Sequence, residues 1–337
     1  MGFSSSEFLP AALMARITDV RVSDPGFALQ VAQARSRRSR LTMDGKLNIL
    51  AADHPARGVT KVGGDRTAMA VRQDYLGRIL RVLQHPGVDG LMATMDVLED
   101  LLIIEGLVRG AGRPPLLDGK VLIGSLNRGG LAGSAWELDD PITGVTPVAC
   151  ARWKLDGTKI LLRIALDDPS SLKTMLATVN AINQANALNL PTFLEPLPVV
   201  RTEKGWTVQK DWESLTVITG VASALGDSSS NLWLKLPYCE GYQKVAAATT
   251  LPILLLGGES AGDPAPFLSE MTKALATGPN VRGALVGRNV LYPGDEDPYA
   301  MAAAVGGIIH EHWNMDQAVA SLAANRGKDL NRLLPAM

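Results

Sequence analysis

Lys235 lies in an apolar run, Asn231-Leu232-Trp233-Leu234-Lys235-Leu236-Pro237, with no acidic residue within four positions on either side. An ammonium in such surroundings neutralises, finds a partner elsewhere in the chain, or does chemistry. Burial disfavours the charged form, and a free lysine amine attacks carbonyls to form a Schiff base. Taken alone, the residue reads as a cation that snorkels to a rim or pairs with a distant carboxylate. Four further charges alter that reading. Lys159 and Arg163 share one parity of an apolar run, Glu195 sits inside another, and Asp53 ends a third. A second lysine beside Lys235 lowers its pKa by repulsion. A ketone held as a protonated Schiff base is an electron sink, so the bond beyond the adjacent carbon breaks and leaves an enamine. Glu195 suits the general base that takes the proton from the departing hydroxyl, and its acid form can return one. Asp53 suits a hydrogen bond to substrate hydroxyls or to a lysine. The alternative is a structural ion network, because perturbed charges occur in both settings.

A second signal comes later in the chain. Gly257-Gly258-Glu259-Ser260 and Gly287-Arg288-Asn289 each follow an apolar run. Small residues let backbone N–H groups approach an anion, and Arg288 adds a planar cation. Glycine also serves plain tight turns. Gly257, Gly258, Ser260, Gly287 and Arg288 are therefore the candidate anion-binding set.

The elements that must position these groups recur with a rhythm. Eight short apolar runs are expected as strands, at 47–53, 88–94, 120–127, 157–164, 192–197, 231–236, 252–257 and 282–287. Helix-compatible segments lie between them, at 67–84, 97–108, 170–187, 210–225, 242–248 and 264–276. Alternating strands and helices imply a parallel sheet, and eight such units in about 250 residues fit an α/β (β/α)8 TIM barrel. A doubly wound sheet is the alternative, weakened by the lack of a G-x-G-x-x-G turn after the first strand. In a barrel the C-terminal ends of the strands carry the site, and the loops after strands seven and eight bind phosphate. The inward parity then brings Asp53, Lys159, Arg163, Glu195 and Lys235 into one water-poor cup. Residues 1–45 read as an N-terminal helical extension, with short helices at 10–17 and 27–36, and residues 46–337 as the barrel.

Net charge is −1, with 46% hydrophobic and 20% charged residues among 337, which argues against a general nucleic-acid binder. Arg35, Arg37, Arg38 and Arg40 form a local basic cluster, read as a solvated helix face or a subunit contact. Two cysteines suggest a reducing cytoplasm, and no apolar run is long enough to span a bilayer. Met1-Gly2 with the serines that follow fits a loose myristoylation pattern, for which chance is the better explanation. Of His54, His85, His310 and His312 only His54 falls at a strand end, so no metal site and no cofactor is expected. The apolar stretch at 301–309 is a candidate for a homo-oligomer interface.

On these residues the chain resembles the metal-independent class I aldolases of the DeoC/FbaB/LacD superfamily, and within it the tagatose 1,6-diphosphate aldolase branch. A barrel group linked to inositol catabolism is similar as well. The matching motifs are Ala52-Asp53-His54, Gly157-Thr158-Lys159-Ile160-Leu161-Leu162, Phe193-Leu194-Glu195, Leu234-Lys235-Leu236-Pro237, Gly257-Gly258-Glu259-Ser260 and Gly287-Arg288. The resemblance implies reversible aldol cleavage through a Schiff base on Lys235, with Glu195 and Lys159 relaying protons. It also implies a small-molecule anionic sugar substrate, dihydroxyacetone phosphate as the ketone product, and a homo-oligomer. Arg163 stands where that pattern has an aromatic hydroxyl, and it suits a substrate carboxylate. His54 replaces a glutamine and is either a substrate contact or a rim histidine. Two other functions share the scaffold: a transaldolase-like transferase, and a barrel that binds a sugar phosphate without catalysis.

Overall fold

Strands buried on both faces need apolar residues at nearly every position, and that is how the runs of this chain are written. The structure is a computed structural model that describes residues 3–127, 131–203, 205–260 and 262–330. Met1, Gly2 and Ala261 lie outside the described residues. The strands are β1 (Leu47–Ala52), β2 (Gly90–Ala93), β3 (Val121–Ser125), β4 (Gly157–Ile164), β5 (Thr192–Thr202), β6 (Gly205–Val208), β7 (Leu232–Pro237), β8 (Ile253–Leu256) and β9 (Val281–Val286). Eight of them pair in parallel around a ring, β1-β2-β3-β4-β5-β7-β8-β9, which closes where Leu47 to Leu50 of β1 pair with Gly283 to Val286 of β9. The fold is a closed TIM barrel.

Each of the eight expected runs coincides with a barrel strand. The ninth strand was not anticipated. Strand β5 continues past the rim to Thr202 and folds back antiparallel on β6 as a hairpin, Val199 opposite Val208. Gly205, at φ 96°, makes the reversal possible.

Side chains of the strands divide by parity into two cores. Leu234, Leu236, Ile160, Leu162 and Leu194 pack outward with the helices. Leu47, Ile49, Met92, Ile123, Phe193, Leu254 and Leu285 fill the barrel interior, with Trp233 packed against them. Lys159, Glu195 and Lys235 share parity with this inner set, so the barrel floor is apolar and the charges stand above it.

The expected connecting helices are present, from Arg72–Leu83 and Met95–Gly110 to Ser170–Ala187, Trp212–Ser223, Tyr242–Ala247 and Pro264–Leu275. The stretch at 301–309 belongs to a helix, Pro298–His310, in which every residue from Pro298 to Ile309 is buried. It packs on Arg72–Leu83 and on Met315–Asn325. A helix apolar on all sides belongs inside, so this stretch is covered by its own chain and presents no interface. Arg81, fully buried, grips Asp297 at 2.6 Å and the Lys328 carbonyl at 2.5 Å, which fastens the C-terminal segment to the barrel wall.

In the N-terminal segment, Phe8, Leu13, Ile17, Ala28 and Ala32 are buried in the outer core. Its arginine cluster is solvated only in part: Arg37 and Arg40 are exposed, but Arg35 is buried and Arg38 half-buried. Arg35 and Arg37 both pair with Asp156, at 2.8 and 2.7 Å, and Arg38 pairs with Asp89 at 2.7 Å. Both aspartates immediately precede a barrel strand, so these arginines clamp the floor end of the barrel opposite the predicted site. Among the described residues no helix is long and apolar enough to cross a membrane.

Candidate active site

The inward parity of β4, β5 and β7 brings Lys159, Glu195 and Lys235 together, and Asp53 joins them from the end of β1. Glu195 accepts from both lysines through one oxygen: Oε2 lies 2.9 Å from Lys235 Nζ and 2.9 Å from Lys159 Nζ. Lys159 also reaches Asp53 Oδ2 at 3.1 Å. Ser125, inward on β3, donates to the same Asp53 oxygen at 3.3 Å. All four charged side chains are buried.

Burial and charge act in opposition here. For Glu195, burial alone raises the pKa, but the two ammonium groups outweigh it and hold the carboxyl down at about 2. Asp53 is likewise driven below the carboxylate range, against its burial, chiefly by Lys159 and then by Arg57. Lys235 moves the other way. Its burial, helped by repulsion from Lys159, outweighs the attraction of Glu195 and Asp53 and lowers its pKa. Glu195 thus stands ionised beside an amine that gives up its proton more readily than an exposed lysine.

Arg163 does not join this group. It lies four residues beyond Lys159 on β4, about 13 Å higher along the strand. There its guanidinium pairs with Glu137 from the segment after β3. The carboxylate it was expected to take from a ligand is supplied by the chain itself. His54 sits beside Asp53, and burial together with the nearby Arg288 and Arg57 charges depresses its pKa to about 3, so the ring is neutral. Its Nδ1 is buried without a hydrogen-bond partner.

The anion-binding candidates gather on the β8–β9 side of the mouth. Gly287 is required by close packing: a Cβ there would lie 2.4 Å from His54 Cε1 and 2.5 Å from the Ala51 carbonyl oxygen. A Cβ at Gly257 would lie 3.1 Å from Asn289 Nδ2, whereas a side chain at Gly258 would meet open space. Ser260 donates its hydroxyl to the Tyr292 carbonyl at 2.6 Å. Arg288 lies 3.5 Å from Glu259, and its Nε is buried with no partner. A cleft of about 480 Å³ opens here, lined by Ser260, Glu259 and Arg288 on one side and by the loop after β1 on the other.

Several residues of this mouth were not singled out from the sequence. Ser125 and Asn127 follow the inward parity of β3 within the expected run at 120–127, where counting by twos from Ile123 finds them. Asn127 clasps Leu161 of β4 through both its backbone N–H and C=O, at 2.9 and 2.7 Å. Arg57, from a single turn after β1, carries no periodic signal. Its charge nonetheless bears on Asp53, His54, Glu195, Arg163 and Arg288.

Comparison with known proteins bears on the same span. The sequence model of the Cgl0159-like family matches residues 45–306. The chain belongs to the Cgl0159-like family. This family takes the place of the tagatose 1,6-diphosphate aldolase branch as the assignment of the chain. The crystal structure of Cgl0159 from Corynebacterium glutamicum is 36% identical, with a TM-score of 0.84 over 90% of this chain and 99% of that one. An archaeal fructose-1,6-bisphosphate aldolase, solved with its catalytic lysine covalently bound to the carbinolamine intermediate, shares the fold. It is 18% identical, at a TM-score of 0.55 over 84% of this chain and 99% of that one. Among characterised proteins, 2-amino-3,7-dideoxy-D-threo-hept-6-ulosonate synthase 1 of Archaeoglobus fulgidus is 24% identical over 289 residues, 85% of this chain and 94% of that protein.

Proposed function

We propose that this member of the Cgl0159-like family is a class I aldolase that makes and breaks a carbon–carbon bond of an anionic keto-sugar through a Schiff base on Lys235. One observation carries the reading. A buried lysine of lowered pKa shares a single carboxylate oxygen with a second buried lysine, above an apolar floor and beside an anion cleft. The bond chemistry named for the archaeal relative supports it.

The steps follow from the geometry. Glu195, 2.9 Å away, accepts the Lys235 proton and frees the amine. The amine adds to the substrate ketone to give a carbinolamine, and Glu195 returns its proton to the departing hydroxyl, so that water leaves and the protonated imine stands beside a carboxylate again. The hydroxyl on the carbon beyond the adjacent one surrenders its proton to a carboxylate as the carbon–carbon bond breaks. That bond's electrons move into the iminium, leaving an enamine and releasing an aldehyde. Protonation of the enamine carbon and hydrolysis of the imine return Lys235 and free the ketone, which in this proposal is dihydroxyacetone phosphate. Lys159 remains the fixed cation that keeps Glu195 and Asp53 ionised.

Borohydride reduction in the presence of dihydroxyacetone phosphate, followed by peptide mass spectrometry, tests the proposal. The expected adduct lies on Lys235 and is lost in Lys235→Ala. An adduct on another lysine, or none, refutes it. Adding a second aldehyde and following its incorporation separates cleavage from transaldolase-like transfer.

A further inference from the structure

The cleft beside Arg288 has a second wall that the candidate anion residues do not include. It is built by residues 58–66, which follow β1, and it carries Lys61 and Arg66. Both side chains are exposed, and neither forms an ion pair among the described residues. The loop beneath them is tied down. Val62 and Asp65 form a two-residue bridge, the Met69 N–H donates to the Thr60 carbonyl at 3.0 Å, and Thr60 donates to the Arg66 carbonyl at 2.7 Å. Two cations are therefore held toward the cleft on a braced loop rather than on a loose one.

Charge then discriminates between ligands. On the β8–β9 side Arg288 is offset by Glu259, 3.5 Å away, so that wall alone is close to neutral. Lys61 and Arg66 bring the charged lining to three cations and one carboxylate, a net of +2. Arg57 adds to the positive field at Arg288, and neutral His54 adds nothing. A phosphate ester carries about −1.5 to −2 at neutral pH, whereas a carboxylate or sulfonate carries about −1.

We propose that Lys61 and Arg66 complete the anion subsite from the β1 side, and that the group it selects is a dianionic phosphate ester rather than a monoanionic carboxylate or sulfonate. The inference rests on the proposed aldolase reading only in taking this cleft as the seat of the substrate's charged end.

Methyl phosphate and methanesulfonate are matched probes, because they have similar shape and differ by one charge once the phosphate is fully ionised. Calorimetric or competition titration of the full chain at about pH 8 is expected to show methyl phosphate binding about tenfold tighter, because its second negative charge meets two cations that no carboxylate of the cleft offsets. At about pH 5, below the second phosphate pKa of about 6, the advantage is expected to vanish. In the double variant Lys61→Ala/Arg66→Ala it is expected to vanish at about pH 8 as well, leaving the two probes within about twofold. Equal binding of the two probes to the unaltered chain at the higher pH overturns the proposal, as does a double variant that keeps the preference. Borohydride trapping with uncharged dihydroxyacetone keeps the two readings separable. Trapping on Lys235 without phosphate selectivity sinks only the subsite. Selectivity without trapping sinks the aldolase reading and leaves the subsite standing.

Discussion

Replacing Glu195 by glutamine keeps the side-chain shape and removes the charge that two lysines share. In the native barrel this carboxyl is held at about 2 against an ordinary value of 4.5. A depressed carboxyl contributes stability that is full above the unfolded value and is lost as pH falls toward the folded one. The difference is worth about 3 kcal/mol at neutral pH, of which about 1.4 kcal/mol is gone by pH ~3.5. Glu195→Gln forfeits this contribution and leaves two buried ammonium groups facing an amide. Urea unfolding of both proteins at neutral pH and at about pH 3.5, extrapolated to water, measures it. The stability gap between native and variant should narrow by about 1.4 kcal/mol on acidification, since every other carboxylate titrates in both proteins. A gap of constant size across that range would show that Glu195 is not held ionised by Lys159 and Lys235, and the proton-acceptor role would fall with it. In the folded variant, turnover should drop by about 10²- to 10⁴-fold, the usual weight of a general base.

Gly287→Ala should lose about 1 to 3 kcal/mol of stability, because its Cβ meets both the His54 ring and a backbone oxygen; an unchanged melting curve would count against that packing. Arg81→Leu should cost about 3 to 5 kcal/mol by stranding Asp297 in the core. Proteolysis near the C-terminus should quicken with it, and an unaltered digestion pattern would show that Arg81 does not fasten that segment. If the lysine chemistry is correct, cleavage activity survives EDTA; strong loss restored by zinc would move the protein to the metal-dependent class.

The barrel was legible because each of its strands is buried on both faces and so announces itself as an apolar run. The inward parity of Lys159, Glu195 and Lys235 followed from the same two-residue period. Arg163 shows where that inference stopped. Parity assigns a side chain to a face but says nothing of height, and four residues of rise carried it to the rim and to Glu137. Arg57, Lys61 and Arg66 come from irregular chain after β1, where no period reports direction. The apolar stretch at 301–309 suggests an interface until the Met315–Asn325 helix, which covers it, is seen in place. The partners of Arg35 and Arg38 were out of reach of a local reading, since their aspartates lie 121 and 51 residues away in the chain.

The row Asp53–Lys159–Glu195–Lys235 alternates in sign and sums to zero when every member is ionised. Such a row needs no counterion from solvent, so it can sit in a dry barrel before any ligand arrives. In the proposed reaction a protonated imine on Lys235 carries the same single positive charge as the ammonium it replaces. The central covalent step would then change the bonding at Lys235 without changing the field its neighbours feel. Little reorganisation of Lys159, Glu195 and Asp53 is demanded, which is the condition under which fixed charges contribute most to catalysis.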